Sequence, residues 1–167
     1  MSNEPTAERP YMPGYGVPST IDGVVPWSWA LERLNINRDY WLATVRPDGR
    51  PHLVPVWGVW LEGEFFFSSG AEARKAKNLR ANPHCTLSIE NCSQPVMVEG
   101  TARHVTDRAE LQSVCAPYEA KYAMAMHVIE DGISDADGNG GPVFAIRPVT
   151  VFGMPDMATA TRWRFNP

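Results

Sequence analysis

Arg46-Pro-Asp-Gly-Arg-Pro51 stands between two alternating apolar stretches, Tyr40–Val45 and His52–Trp60, and its chemistry dictates a tight reversal. Pro47 presets φ, Asp48 can bond back to its own backbone, and Gly49 supplies a positive φ. Two strand-like runs joined this closely lie side by side as a hairpin. Leu61-Glu-Gly-Glu64 then carries the chain into a third strand, Phe65–Ser69, completing a three-stranded meander. Cys85–Glu90 and Val96–Val105 read as two further strands, with Val143–Ile146 and Val149–Phe152 closing the series. Short strands with two interposed helices favour a mainly β chain, folded as a small closed or half-open antiparallel barrel rather than a doubly wound sheet.

The flanking segments read differently. Residues 1–26 carry Pro5, Pro10, Pro13, Pro18 and Pro26 with Gly14, Gly16 and Gly23, so they are expected to form an irregular arm without a regular element. Its Tyr11 and Tyr15 are candidates for docking on a neighbouring surface. Residues 27–167 are expected to form one domain. Trp27–Leu34 suits a short helix, with Trp27, Ala30, Leu31 and Leu34 on one face. Thr106-Asp107 caps a long helical stretch predicted to reach about Ile129, with a kink or break at Pro117. Glu130–Gly141 reads as a glycine- and aspartate-rich loop. Its Asp135-Ala-Asp-Gly-Asn-Gly140 opens like a calcium loop, but Ile146 occupies the position of the required bidentate glutamate, so a surface turn is the better reading.

Composition excludes several functions. At 167 residues, 44% hydrophobic, the chain can bury a substantial core. Its net charge of -4 argues against a nucleic-acid binder. No stretch has the length to span a bilayer, and Met1-Ser-Asn-Glu-Pro-Thr-Ala-Glu contains no apolar signal region. Cys85, Cys92 and Cys115 lack CxxC spacing and read as reduced thiols in a cytoplasmic protein. His52, His84, His104 and His127 show no metal-ligand spacing, and neither GxSxG nor GxGxxG occurs.

Against that acidic background, Phe65 to Pro83 stands out. The segment reads as a strand turning at Ser68-Ser69-Gly70 into a short helix that stops at Asn82-Pro83. From Gly70 to Arg80, Arg74, Lys75, Lys77 and Arg80 oppose Glu72 alone, a local charge of +3. Unpaired N–H groups and the positive end of the helix dipole favour an anion at such a turn. Hydroxyls of Ser68 and Ser69 with Arg74 and Lys75 would complete a phosphate cradle, and Asn78 shares a face with Lys75. A solvated basic helix is the competing reading. Pro55-Val56-Trp57 marks a strand edge or irregularity whose main chain could meet a flat heterocycle. Trp57 and Trp60 can equally be core or dimer-interface aromatics.

The run Tyr40–Trp60, followed by Phe67-Ser-Ser-Gly70 and Arg74-Lys-Ala-Lys-Asn-Leu79, resembles the pyridoxamine 5′-phosphate oxidase-like superfamily. More narrowly it resembles the actinobacterial flavin and deazaflavin oxidoreductases that bind coenzyme F420, as does Thr161-Arg-Trp-Arg-Phe165. The resemblance implies a split β-barrel homodimer with the cofactor in the interface cleft. The phosphate would lie at Ser69, Arg74 and Lys75, the ring against Pro55-Val56-Trp57, with Asn78 as a weaker correspondence. It further implies hydride transfer between F420 and a small, flat, apolar acceptor, with an acidic tail that Lys77 and Arg80 could meet. FMN is the alternative cofactor, and a non-catalytic carrier of a flavin-like or tetrapyrrole ligand is the alternative function. No catalytic side chain is assigned.

Overall fold

The computed structural model describes residues 4–166; the first three residues of the expected arm and Pro167 lie outside them. The elements run β1 (Thr6–Glu8), α1 (Trp27–Ile36), β2 (Asp39–Val45), β3 (Pro51–Trp57), β4 (Val59–Leu61) and β5 (Glu64–Ser68). They continue α2 (Arg74–Ala81), β6 (His84–Ile89), β7 (Val96–Val105), α3 (Arg108–Tyr122), β8 (His127–Ile129), β9 (Gly132–Ser134), β10 (Gly140–Gly141), β11 (Val143–Gly153) and β12 (Thr161–Arg164). The main sheet has the order β1-β12-β11-β7-β6-β2-β3, with β4 on β5 and β5 on β11. Every pairing is antiparallel, and the mainly β split barrel with short flanking helices is the fold that results.

The hairpin at Arg46–Pro51 forms as its chemistry requires, with Gly49 at φ 83° and the Arg50 amide bonded to Asp48. The expected strand 52–60 is instead two, broken at Gly58. A Cβ there would lie 2.3 Å from Phe65 Cζ and 2.5 Å from the Phe66 carbonyl oxygen, so only glycine permits the close approach. Conversely, Val143–Ile146 and Val149–Phe152 are one strand. Pro148 lacks an N–H, and the ladder with β7 absorbs it as a bulge between Pro148 and Thr150. The bulge divides the opposite edge of β11, where β5 pairs with Val143–Ile146 and β12 with Thr150–Gly153.

Period-two alternation builds two cores on the two faces of β5. Phe65 and Phe67 join Tyr40, Leu42, Leu87, Val98, Ile146 and Trp163 inside the barrel. Phe66 points the other way, into a second core with Val59, Leu111, Val114, Tyr118, Ile133 and Val143 beneath α3.

Further expectations are corrected. The arm does contain a regular element: β1 pairs with β12, and Arg9 bonds to the arm's own Thr20 and Asp22 carbonyls and ties the arm to the Ala160 carbonyl. Tyr11 and Tyr15 remain exposed. Helix α3 passes through Pro117 unbroken and ends at Tyr122, with Ala123 in the left-handed conformation. His127–Ile129, expected to be helical, is a strand of the small sheet β10-β9-β8. The segment 130–141 is likewise not a structureless loop, since β9 and β10 form a hairpin within it. Its turn is closed by the Asp135 carboxylate, which accepts from the Asp137 and Asn139 amides.

Candidate functional site

Among the described residues, strand β3 bonds to β2 alone along its length, so Pro55 lies on an edge strand where its missing N–H disturbs no ladder. Beside that edge, β5 delivers Ser68 and the first turn of α2 delivers Lys75. Asp39, Pro55, Val56, Trp57, Ser68 and Lys75 together line one cleft of about 370 Å3. The structure thus brings the strand edge and the basic turn, read separately from the sequence, to a single concavity.

The basic helix starts later than the sequence suggests. Ser69 to Ala73 form a turn, closed by the Ala73 amide on the Gly70 carbonyl, and α2 begins at Arg74. Ala73 stands at the N-cap without a capping side chain, and the first turn contains no acidic residue. Arg74 and Lys75 therefore place positive charge at the positive end of the helix, an unfavourable arrangement that a bound anion would reverse. Burial holds the Lys75 ammonium below the usual lysine range, which makes it a poorly solvated cation beside the cleft.

The remaining residues of the expected cradle have other engagements. Ser69 is buried, and its hydroxyl donates to the Gly70 carbonyl. Ser68 donates to the Gly141 carbonyl. Asn78 is fully buried under the helix, its Nδ2 donating to Thr44 Oγ1 at 3.0 Å. Lys77 forms an ion pair with Glu72 at 2.8 Å, and Arg80 donates to the Ala71 carbonyl. Thus Lys75 lines the cleft, Arg74 precedes it at the helix start, and Lys77 and Arg80 lie farther along the exposed helix.

Trp57 is held from several directions. Its indole stacks on Tyr122 with centroids 4.9 Å apart and planes 7° from parallel, and its Nε1 donates to Asp39. Its carbonyl accepts from the Tyr118 hydroxyl at 2.8 Å. At the adjoining break, the Tyr122 hydroxyl accepts from the Gly58 amide, while Lys121 donates to the Gly58 carbonyl and to Tyr40. Burial first, and then the charge of Arg38, lowers the Lys121 pKa to about 8. Tyr118, Lys121 and Tyr122 thus anchor the edge strand to α3. Sequence reasoning missed all three and Asp39; the available signal was the Tyr118–Tyr122 spacing, which places two aromatics on one helix face.

The cleft opens on an apolar sheet face. Trp41 and Trp57 are 44% and 45% exposed, and Leu53 and Val45 are exposed on the same two strands. Among the described residues, no cluster of three or more potential metal ligands occurs, and no helix is long and apolar enough to cross a membrane.

Comparison with known proteins agrees with this architecture. A solved structure described as an F420 reductase is 24% identical with a TM-score of 0.53, the match covering 72% of this chain and 93% of that one. A conserved hypothetical protein of Mycobacterium tuberculosis is 24% identical with a TM-score of 0.61, over 87% of this chain and 88% of that one. A heme binding protein from Mycobacterium smegmatis is 20% identical with a TM-score of 0.64, over 84% of this chain and 60% of that one. The family model for pyridoxamine 5′-phosphate oxidase matches residues 32–153, a span that includes the edge strand, the basic turn and the helix that anchors them. The chain belongs to the pyridoxamine 5′-phosphate oxidase family.

Proposed function

We propose that this protein is an oxidoreductase that binds reduced coenzyme F420 in the Pro55–Trp57/Lys75 cleft and serves a small, flat, apolar acceptor. The observation that carries this reading is the meeting of a free strand edge with an uncapped, basic helix start in one concavity. The volume suits a ring system. Lys75 and Arg74 would hold the phosphate, with the turn at Ser69 shaping its seat. The polypeptide at Pro55–Trp57 would lie along the ring, and the Asp39 carboxylate, steadied by Trp57 Nε1, offers an acceptor to a ring N–H. Asn78 supports this arrangement from beneath, through Thr44, rather than touching the ligand.

When bound, the deazaflavin supplies the hydride chemistry; the chain's own work is anchoring, orientation and exclusion of water. The exposed apolar face beside the cleft supports a homodimer in which the partner covers the open side. Lys77 and Arg80 would meet an acidic tail only by leaving their present partners, so their contribution should be small and salt-sensitive. The neighbour named as a heme binding protein favours a second reading, a carrier of a tetrapyrrole or flavin-like ligand. Fluorescence titration separates the cases. F420 binding with turnover of its reduced form by an acceptor supports the oxidoreductase. Preferential binding of FMN assigns the alternative cofactor, and binding without turnover by any acceptor assigns the carrier.

A further inference from the structure

The basic surface does not end at α2. His52, on β3, is paired in register with Thr44 on β2, and its Nδ1 lies 3.4 Å from Thr44 Oγ1. That same hydroxyl oxygen accepts from Asn78 Nδ2, so α2, β2 and β3 are joined at one polar point beneath α2. Asn78 is fully buried, yet its Oδ1 has no partner among the described residues. At the end of β2, Arg46 has a buried Nε that also has no hydrogen-bond partner among the described residues. The charges acting on His52 are those of Arg46 from the turn and of Arg74 and Lys75 from α2. The nearest carboxylate of the turn, Asp48, is engaged by Arg50 at 2.7 Å. Three like charges from two elements, the turn and α2, converge on His52, and no carboxylate is among the groups acting on it.

Such convergence is costly without a counter-charge, and a buried N–H without an acceptor adds to the cost. An anion resolves both. It neutralises the cluster and gives the guanidinium an acceptor, and protonation of His52 adds one more donor and one more charge.

We infer that Arg46 and His52 complete the anion site begun by Arg74 and Lys75, so that the ligand's phosphate is gripped by basic groups from the β2–β3 turn, β3 and α2 and is bound more tightly when His52 is protonated. This inference rests on the proposed function, because it assigns further residues to the phosphate end of the same cleft. Burial and the three cations hold His52 below its ordinary range, so the unliganded imidazole is neutral near neutral pH. By reciprocity, an anion that binds better to the protonated form must raise the pKa of His52.

The test uses the full chain and sulfate, whose charge is constant from about pH 5.5 to about pH 8.5, where imidazoles titrate. His52 ring protons are assigned by comparison with His52→Gln and followed by NMR across that range, with and without sulfate. Sulfate should raise the His52 pKa, and sulfate affinity should be about three- to tenfold higher at the acid end than at the alkaline end. His52→Gln should abolish this pH dependence. Arg46→Gln should weaken sulfate binding about tenfold, with Arg46→Lys intermediate, and melting curves without sulfate should show each variant folded. A His52 resonance indifferent to sulfate overturns the inference. So does an affinity unchanged by Arg46→Gln. Should either result occur while Lys75→Ala still weakens coenzyme F420, the proposed function stands without these two residues. Should Lys75→Ala also be silent, the phosphate assignment itself fails.

Discussion

Replacing Tyr122 with phenylalanine removes one oxygen and tests how the cleft wall is supported. That oxygen accepts from the Gly58 amide at 2.8 Å and lies 2.7 Å from the Arg38 carbonyl and 2.9 Å from the Gly58 carbonyl. The Gly58 carbonyl keeps Lys121 as a donor, and Arg38 is exposed, so water can replace the hydroxyl there. The Gly58 amide is buried and has no such substitute. A buried donor left without a partner costs about 1–3 kcal/mol, so Tyr122→Phe should destabilise by about 2 kcal/mol. For a chain of this size that corresponds to a fall of about 4–8 °C in Tm. The phenyl ring preserves the stack on Trp57, whereas Tyr122→Ala loses it and leaves a cavity, at about 3–5 kcal/mol in total. Urea unfolding at constant m measures both variants. If Tyr122→Phe lies within about 0.5 kcal/mol of the unaltered protein, the hydroxyl does not anchor the break and the account of α3 is wrong.

Gly58→Ala should be more damaging still, because its methyl would meet the Phe65 ring and the Phe66 backbone at once; circular dichroism should show a lower Tm and a shifted strand signal, and an unchanged Tm would contradict the close approach. Lys121 has a folded-state pKa of about 8 against an ordinary value of 10.5, so between those pH values the unfolded chain binds the extra proton and stability rises with pH. After discounting for partial exposure, that rise should be about 1–2 kcal/mol and absent in Lys121→Met; the same slope in both proteins would refute it. The exposed face around Trp41 and Leu53 should bury itself in a homodimer, so light scattering should give twice the chain mass at micromolar concentration and Trp41→Glu/Leu53→Glu should give a monomer. A monomeric unaltered protein with cofactor bound would oppose that proposal.

The barrel was legible because its strands advertise themselves locally. Pro47-Asp48-Gly49 specifies a reversal, and the alternation of Tyr40, Leu42 and Thr44 marks the inward face of β2. The anion turn was legible for a similar reason: a charge reversal within a few residues needs no tertiary knowledge. What the sequence hid depends on contacts distant along the chain. The break at Gly58 is imposed by Phe65 and Phe66, and β1 forms only because β12 offers it an edge. Pro117 implied a break in α3, but contacts of Leu111, Val114 and Tyr118 with the sheet outweigh the lost bond. His127–Ile129 followed a helical pattern too short to compete with pairing to β9. Lys77 and Arg80 looked equivalent to Lys75 in a charge count; burial and lining of the cleft distinguish Lys75.

The central claim is that Lys75 and the Pro55–Trp57 edge together hold a phosphate-bearing deazaflavin. Its most direct measurement is the dissociation constant of coenzyme F420, set beside that of FMN, for the unaltered protein and Lys75→Ala at low and high salt. Loss of one charged contact of about 1.5–3 kcal/mol should weaken F420 roughly ten- to a hundredfold. F420 should bind more tightly than FMN in the unaltered protein, with the steeper salt dependence expected of its acidic tail. Unchanged F420 binding by Lys75→Ala would contradict the phosphate assignment, and tighter binding of FMN at every salt concentration would contradict the choice of deazaflavin.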